Sequence, residues 1–144
     1  MQEQNFKNHS RILPSWHFGV YGLILAFIIG AARNLYLACE AEERLYVPVL
    51  LLLAGFILLL VATFARWFGL RAQDRAIRAE ENLRHFAITG NLLDSKLRLS
   101  QIIALRFASN NELLDLAHRA VEENMSPKEI KKAIQYWRGD YHRV

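Results

Sequence analysis

The chain has 144 residues, enough for one small domain, and 53% of them are hydrophobic, an excess over soluble averages that gathers in the first half. The formal charge of +4 is modest, and the single cysteine, Cys39, excludes an internal disulfide and a multi-cysteine metal site. In a chain with long apolar runs, such charge sets orientation in a bilayer rather than marking a nucleic-acid surface, so no nucleic-acid partner is expected.

Residues 1–15 form a polar segment carrying Lys7 and Arg11. The first apolar run, from Trp16 to Tyr36, is interrupted only by His17, Arg33 and Asn34, and at 1.5 Å per residue it covers roughly 30 Å, the thickness of a bilayer core. A first transmembrane helix is therefore predicted over 16–38. The start of the chain also looks like a lipoprotein signal ending at LYLAC, but Tyr36, Leu37 and Arg33 fit that pattern poorly, and cleavage at Cys39 is not expected. Arg33 lies near the outer end of its span, where snorkelling to headgroups explains it more simply than a transport pathway.

Residues 39–45 make a short external turn with Glu40, Glu42 and Glu43. The second run, VPVLLLLAGFILLLVATFAR, lies between Tyr46 and Trp67 and covers about 31 Å. Trp16 with Trp67, and Tyr36 with Tyr46, stand at the two expected interfaces as aromatic anchors. Lys7 and Arg11 precede the first span and Arg66, Arg71, Arg75 and Arg78 follow the second, which places both termini in the cytoplasm of a bacterial inner membrane as a multi-pass protein.

The second span does not stop at its basic flank. Steps of three and four residues connect Gly55, Leu58, Ala62, Ala65, Gly69, Ala72, Ala76, Ala79, Leu83 and Phe86, the spacing of helices that wind about a partner. Small residues dominate the series, as they do at Gly22, Ala26 and Gly30 of the first span, and close backbone approach is a main source of helix association in lipid. These residues are the candidate association seam. The acid-first pairs Asp74/Arg78 and Glu80/Arg84, with Glu81 facing His85, read as a solvated helix surface. One helix is predicted over 46–90, running to about Ile88, with Gly90 as its left-handed cap.

Residues 91–144 form a cytosolic helical tail. Ser100 is expected to cap a short helix carrying Ile102, Ile103, Leu105 and Phe107. A second helix starts at an Asn, turns Leu113, Leu114, Ala117 and Val121 to the core, and stops at Asn124. In MSPKEI, Ser126 is the N-cap, Pro127 the first helical residue and Glu129 the third member of a capping box, so a final helix is predicted through Trp137, with Ile130, Ile134, Trp137 and Tyr141 on one face. That helix suits either a small bundle, the favoured arrangement, or an anionic membrane surface.

The fold class is thus all-α: a two-span transmembrane hairpin whose long second helix continues into a small cytosolic helical tail. Asp115, His118 and Glu122 share a helical face, but surface charge pairing explains the trio, and no metal or cofactor is expected. RGD at 138–140 is cytoplasmic in this topology and is not read as an adhesion motif. Phosphate loops, nucleophile elbows and dinucleotide fingerprints are absent from the sequence, and an enzyme is not expected.

GLRAQDRAIRAEENLRHFAITG at 69–90, NFKNHSR near the start, LRLSQIIALRFAS in the tail and NMSPKEIKKAIQYWRGDYHRV at the end resemble a family of small two-span bacterial membrane proteins of unknown function. Members are sometimes labelled transporter permeases, a label this sequence departs from in having too few spans and no recognisable coupling element. The expected function is that of a small inner-membrane scaffold or accessory subunit, partnered by membrane lipids and by another protein or a second copy. The alternative is a minor subunit of a transporter or channel, or a homo-oligomeric pore lined by Arg33, Asn34 and His17.

Overall fold

The computed structural model describes residues 4–6, 8 and 13–140. Lys7, Arg11 and Tyr141, which the sequence reading uses, lie outside the described residues. The described chain is helical, with no strand among its residues. A π-helical turn, Ser15–Val20, leads into α1 (Tyr21–Glu40), followed by α2 (Tyr46–Thr89), α3 (Leu99–Leu105), α4 (Asn110–Glu122) and α5 (Pro127–Ala133). Two compact units result, one within Ile12–Gly69 and one made of the chain from Leu70 onward with the N-terminal segment.

In the first unit two helices are long and apolar enough to cross a membrane, and only 17% of either apolar window is buried. A core helix of a soluble domain would hide most of that surface. Side chains such as Leu23, Leu53, Phe56 and Leu60 are more than half or nearly half exposed, and nothing within the unit covers them. The buried edge of α1 runs through Tyr21, Ile24, Ile28, Ala31, Leu35 and Ala38, a strict alternation of three- and four-residue steps. On α2 the matching edge is Pro48, Leu52, Gly55, Leu59, Ala62 and Arg66. The closest approach is at Gly55, where an added Cβ would sit 2.7 Å from Ile28 Cγ1 and 3.3 Å from Phe27 Cδ1. Glycine there removes the atom that would hold the helices apart.

The turn after α1 closes with Glu42 in the left-handed region at φ 54°. The Glu43 N–H donates to Ala38 O at 3.0 Å and the Glu42 N–H to Cys39 O at 3.4 Å, a Schellman arrangement that satisfies the last carbonyls. The same device ends α4, with Asn124 at φ 48° and the Met125 N–H donating to Ala120 O at 3.2 Å.

The second unit is built on residues 70–89 of α2 and on α3, α4 and α5. Its core centres on Ile102, Leu105, Phe107, Leu113 and Ile130, each essentially without solvent exposure. Burying each such side chain contributes roughly 1.5–3 kcal/mol before entropy. Gln101 sits in this core at 2% exposure and is fully employed. Its Oε1 accepts the Arg98 N–H at 2.8 Å, while its Nε2 donates to Ala120 O at 3.1 Å and Met125 O at 2.8 Å. This side chain begins α3 and joins it to the end of α4.

Several expectations for the tail are corrected. The first tail helix is capped by Gln101 reaching back to Arg98, with Ser100 already inside the helix. Leu114 faces outward at 38% exposure, and Leu116 and Ala120 take the core positions beside Leu113 and Ala117. The final helix starts as expected at the Ser126 capping box but ends at Ala133, not Trp137. Beyond it the chain is extended and pairs with the segment after α3: the Ser109 N–H donates to Tyr136 O at 3.1 Å and the Arg138 N–H to Phe107 O at 2.7 Å. Glu112 holds this segment by accepting the Gln135 and Tyr136 N–H groups at 3.0 and 3.1 Å. These long-range bonds outcompete continued helix, and they lay the Trp137 ring 5.2 Å from that of Phe107.

Candidate functional site

Residues 70–89 of α2 present two faces. Gln73, Ile77, Glu81 and Arg84 follow steps of three and four residues and are buried or half-buried against the tail. Ala72, Ala79, Leu83 and Phe86 turn away from the tail at about 100° per residue and are exposed, Leu83 at 67% and Phe86 at 50%, while Ala76, also exposed, borders the cavity between α2 and the tail. The expectation that the charged residues here are a water-facing surface is corrected at Glu81 and Arg84, whose side chains keep 6% and 11% exposure.

Arg84 directs each part of its guanidinium to a partner. Nη1 pairs with Glu81 Oε2 at 2.9 Å, Nε donates to Asn110 Oδ1 at 2.8 Å, and Nη2 donates to Ala108 O at 2.8 Å. The planar fork of arginine suits this three-way task, which a lysine could not reproduce. Arg138 Nη1 approaches the other Glu81 oxygen at 3.7 Å. The latch therefore joins α2 to the loop before α4 and to the extended C-terminal segment. His85, expected near Glu81, turns instead to Asn91 O at 2.7 Å and Thr89 Oγ1 at 3.3 Å, closing the end of α2 around Gly90, which adopts φ 74°.

A second ion pair, Arg106 Nε to Asp140 Oδ2 at 3.3 Å, lies across a cavity of about 470 Å³ from Gln73, Ala76, Ile77, Glu80 and Glu81. The Arg106 guanidinium also stands 4.6 Å from the Phe107 ring centre. Gln4 clamps the same corner: its Nε2 donates to Asp140 O at 3.1 Å and its Oε1 accepts the Asp140 N–H at 2.8 Å. Arg106, Glu112 and Gln4 escape sequence reasoning because their partners lie far along the chain, and Glu81 and Arg84, although three residues apart, read as surface charge because their further partners at 108, 110 and 138 are equally distant. The only readable hint is that Glu81 and Arg84 fall in step with Ile77.

The other candidate residues are placed as follows. Gly55 and Ala62 lie on the α1-facing edge, whereas Gly22, Ala26, Gly30, Leu58, Ala65 and Gly69 are exposed, and nothing lies within 4 Å of an added Cβ at Gly22, Gly30 or Gly69. The intrachain contact thus runs through Ala31 and Ala38, leaving the Gly22/Ala26/Gly30 stripe outside it. Tyr36, Tyr46 and Trp67 are exposed, and Trp16 is half-buried with its indole Nε1 enclosed. Arg33 and Asn34 are exposed, as is His17, whose Nδ1 lies 2.9 Å from Leu13 O. His118 pairs with Glu122 at 3.3 Å while Asp115 turns to Arg119 at 3.9 Å, both on the α4 surface. Among the described residues no three His, Cys, Asp or Glu side chains are grouped to hold a metal ion.

A family model for a family of unknown function, DUF6526, matches residues 1–144. The chain belongs to the DUF6526 family. No curated protein and no solved structure matches it. Membership in DUF6526 covers both the apolar pair α1/α2 and the latched tail, so the family unit is the combination of the two.

Proposed function

We propose that this DUF6526 member is a small integral protein of the bacterial inner membrane, with both termini cytoplasmic, that acts as a scaffold or accessory subunit. The hairpin of α1 and α2 anchors the chain among lipids, and the tail is the docking module. The observation that carries this reading is that α2 is one helix, Tyr46–Thr89, whose part before Leu70 is apolar and exposed and whose part after it is bound into the folded tail by Arg84, through Asn110 Oδ1 and Ala108 O. A module merely trailing from an anchor would need no such attachment, since ordering two charged side chains and removing them from water is costly. The exposed apolar surface of α1 and of residues 46–70 supports the anchoring half of the proposal.

The test is purification of the full chain from native membranes in mild detergent, alongside an Arg84→Ala variant. A partner present in stoichiometric amount with the wild type and lost with the variant supports docking by the latched module. Recovery of the wild type with no stoichiometric companion, of its own or another kind, refutes it.

A further inference from the structure

We propose that the exposed face of residues 72–86 on α2 binds a second copy of this chain as a parallel two-helix coiled coil. The proposal rests on the membrane-anchored reading above, which inserts every copy in the same sense and so makes neighbouring α2 helices parallel.

Three observations select a second copy. First, the tail packs on α2 through Ile77, Glu81 and Arg84 and meets the seam only at Ala76, on the rim of the cavity it shares with Arg106 and Arg138, so that Ala72, Ala79, Leu83 and Phe86 are left uncovered. Second, the face carries two large apolar side chains, Leu83 and Phe86, at 67% and 50% exposure, beyond the end of the apolar span. With Ala76 and Leu83 at a positions and Ala72, Ala79 and Phe86 at d positions, they follow the heptad spacing of a two-stranded seam. Third, the flanks of the seam are self-complementary. Arg75 falls at g and Glu80 at the following e; both are exposed, Glu80 on the open rim of the cavity that Arg106 and Arg138 also line. In a parallel pair, g of one helix meets e of the next heptad on the other, so Arg75 faces the second copy's equivalent of Glu80 on both sides of the axis. The other flanking positions, Gln73, Asn82 and Ala87, are uncharged, so no like charges meet across the seam. The alanines let the backbones approach closely at one end, and the leucine and phenylalanine supply apolar area at the other.

The test uses the full chain in its membrane with Cys39→Ser, adding single cysteines at Ala79 and Leu83 on the seam and at Arg71 and Arg78 away from it. Mild oxidation is expected to give disulfide-linked dimers at 79 and 83 and at least fivefold less at 71 and 78. Arg75→Glu or Glu80→Arg alone is expected to lower the crosslinked fraction at 83 roughly fivefold, and the two together to restore it. Equal crosslinking at all four positions, none at 79 and 83, or no recovery in the double swap overturns the proposal. If 79 and 83 form no dimers but resist a water-soluble maleimide only when lipid is present, the face lies on the bilayer and the proposal also fails. Alkaline carbonate washing of the same membranes separates the two readings. Release of the protein refutes the anchor, whereas retention without crosslinks refutes only the pairing.

Discussion

Removing Arg84 tests how the tail is held. In Arg84→Ala, Glu81, 6% exposed in the wild type, loses the partner at 2.9 Å and retains only Arg138 at 3.7 Å, while Asn110 Oδ1 and Ala108 O lose donors at 2.8 Å. Breaking a buried pair from one side typically costs about 3–5 kcal/mol, and the residual Arg138 contact places the expected loss near the lower end, about 3 kcal/mol. Replacing both partners, Glu81→Leu with Arg84→Leu, removes the uncompensated charge and is expected to cost less than the single variant, a coupling that a double-mutant cycle measures. Amide exchange of the full chain in detergent micelles reads the effect directly. Protection at Ala108, Leu113 and Arg138 is expected to fall about a hundredfold in Arg84→Ala, while residues 50–62 stay unchanged. A loss below about 1 kcal/mol, or equal exchange in both segments, would refute the latch.

Gln101→Leu preserves volume but strands the Arg98 N–H, Ala120 O and Met125 O, and is expected to cost about 2–4 kcal/mol by chemical denaturation of the tail. Gly55→Leu places a side chain where Ile28 Cγ1 would lie 2.7 Å from its Cβ; a crosslink engineered between α1 and α2 is expected to be lost, and Ile28→Ala to restore it partly. Glu129 is held below its ordinary value of 4.5, chiefly because its carboxylate accepts the Ser126 N–H at 2.7 Å. Its folded pKa being depressed, its contribution is fully present above the unfolded value and is lost as pH falls through the folded one. Glu129→Gln, measured by the same denaturation between pH 3 and pH 7, is expected to remove that part of the acid sensitivity. Wild type and variant with parallel pH dependence would count against the capping box.

Local signals made much of the architecture legible. The Ser126–Pro127–Glu129 start of α5, the stop at Asn124, Gly90 at φ 74° and a helix from Tyr46 to Thr89 all rest on bonds within one turn or on a long periodic pattern. What stayed hidden depends on distant partners. Trp137 leaves its helix because Glu112, on another element, captures the amides before it. Glu81 and Arg84 looked like surface charge because helix pairing rules concern only neighbours three or four residues away, and these two also engage the loop at 108–110 and Arg138. For α1, small residues occur on two faces, and the Tyr21 to Ala38 heptad, equally present in the sequence, marks the one turned to α2. Composition alone does not choose between an intrachain and an interchain use of glycine and alanine.

Cysteine accessibility along α2 in intact membranes, with Cys39→Ser, probes the anchored helix most directly. Phe56, Leu58 and Leu60 are 49%, 48% and 56% exposed in the chain itself, and the proposed anchor has them shielded by surrounding lipid. Cysteines at these positions should resist a water-soluble maleimide until detergent is added, while those at Arg71 and Arg75 should react without it, and from the cytoplasmic side if the proposed orientation holds. Ready labelling at 56, 58 and 60 without detergent would contradict the account.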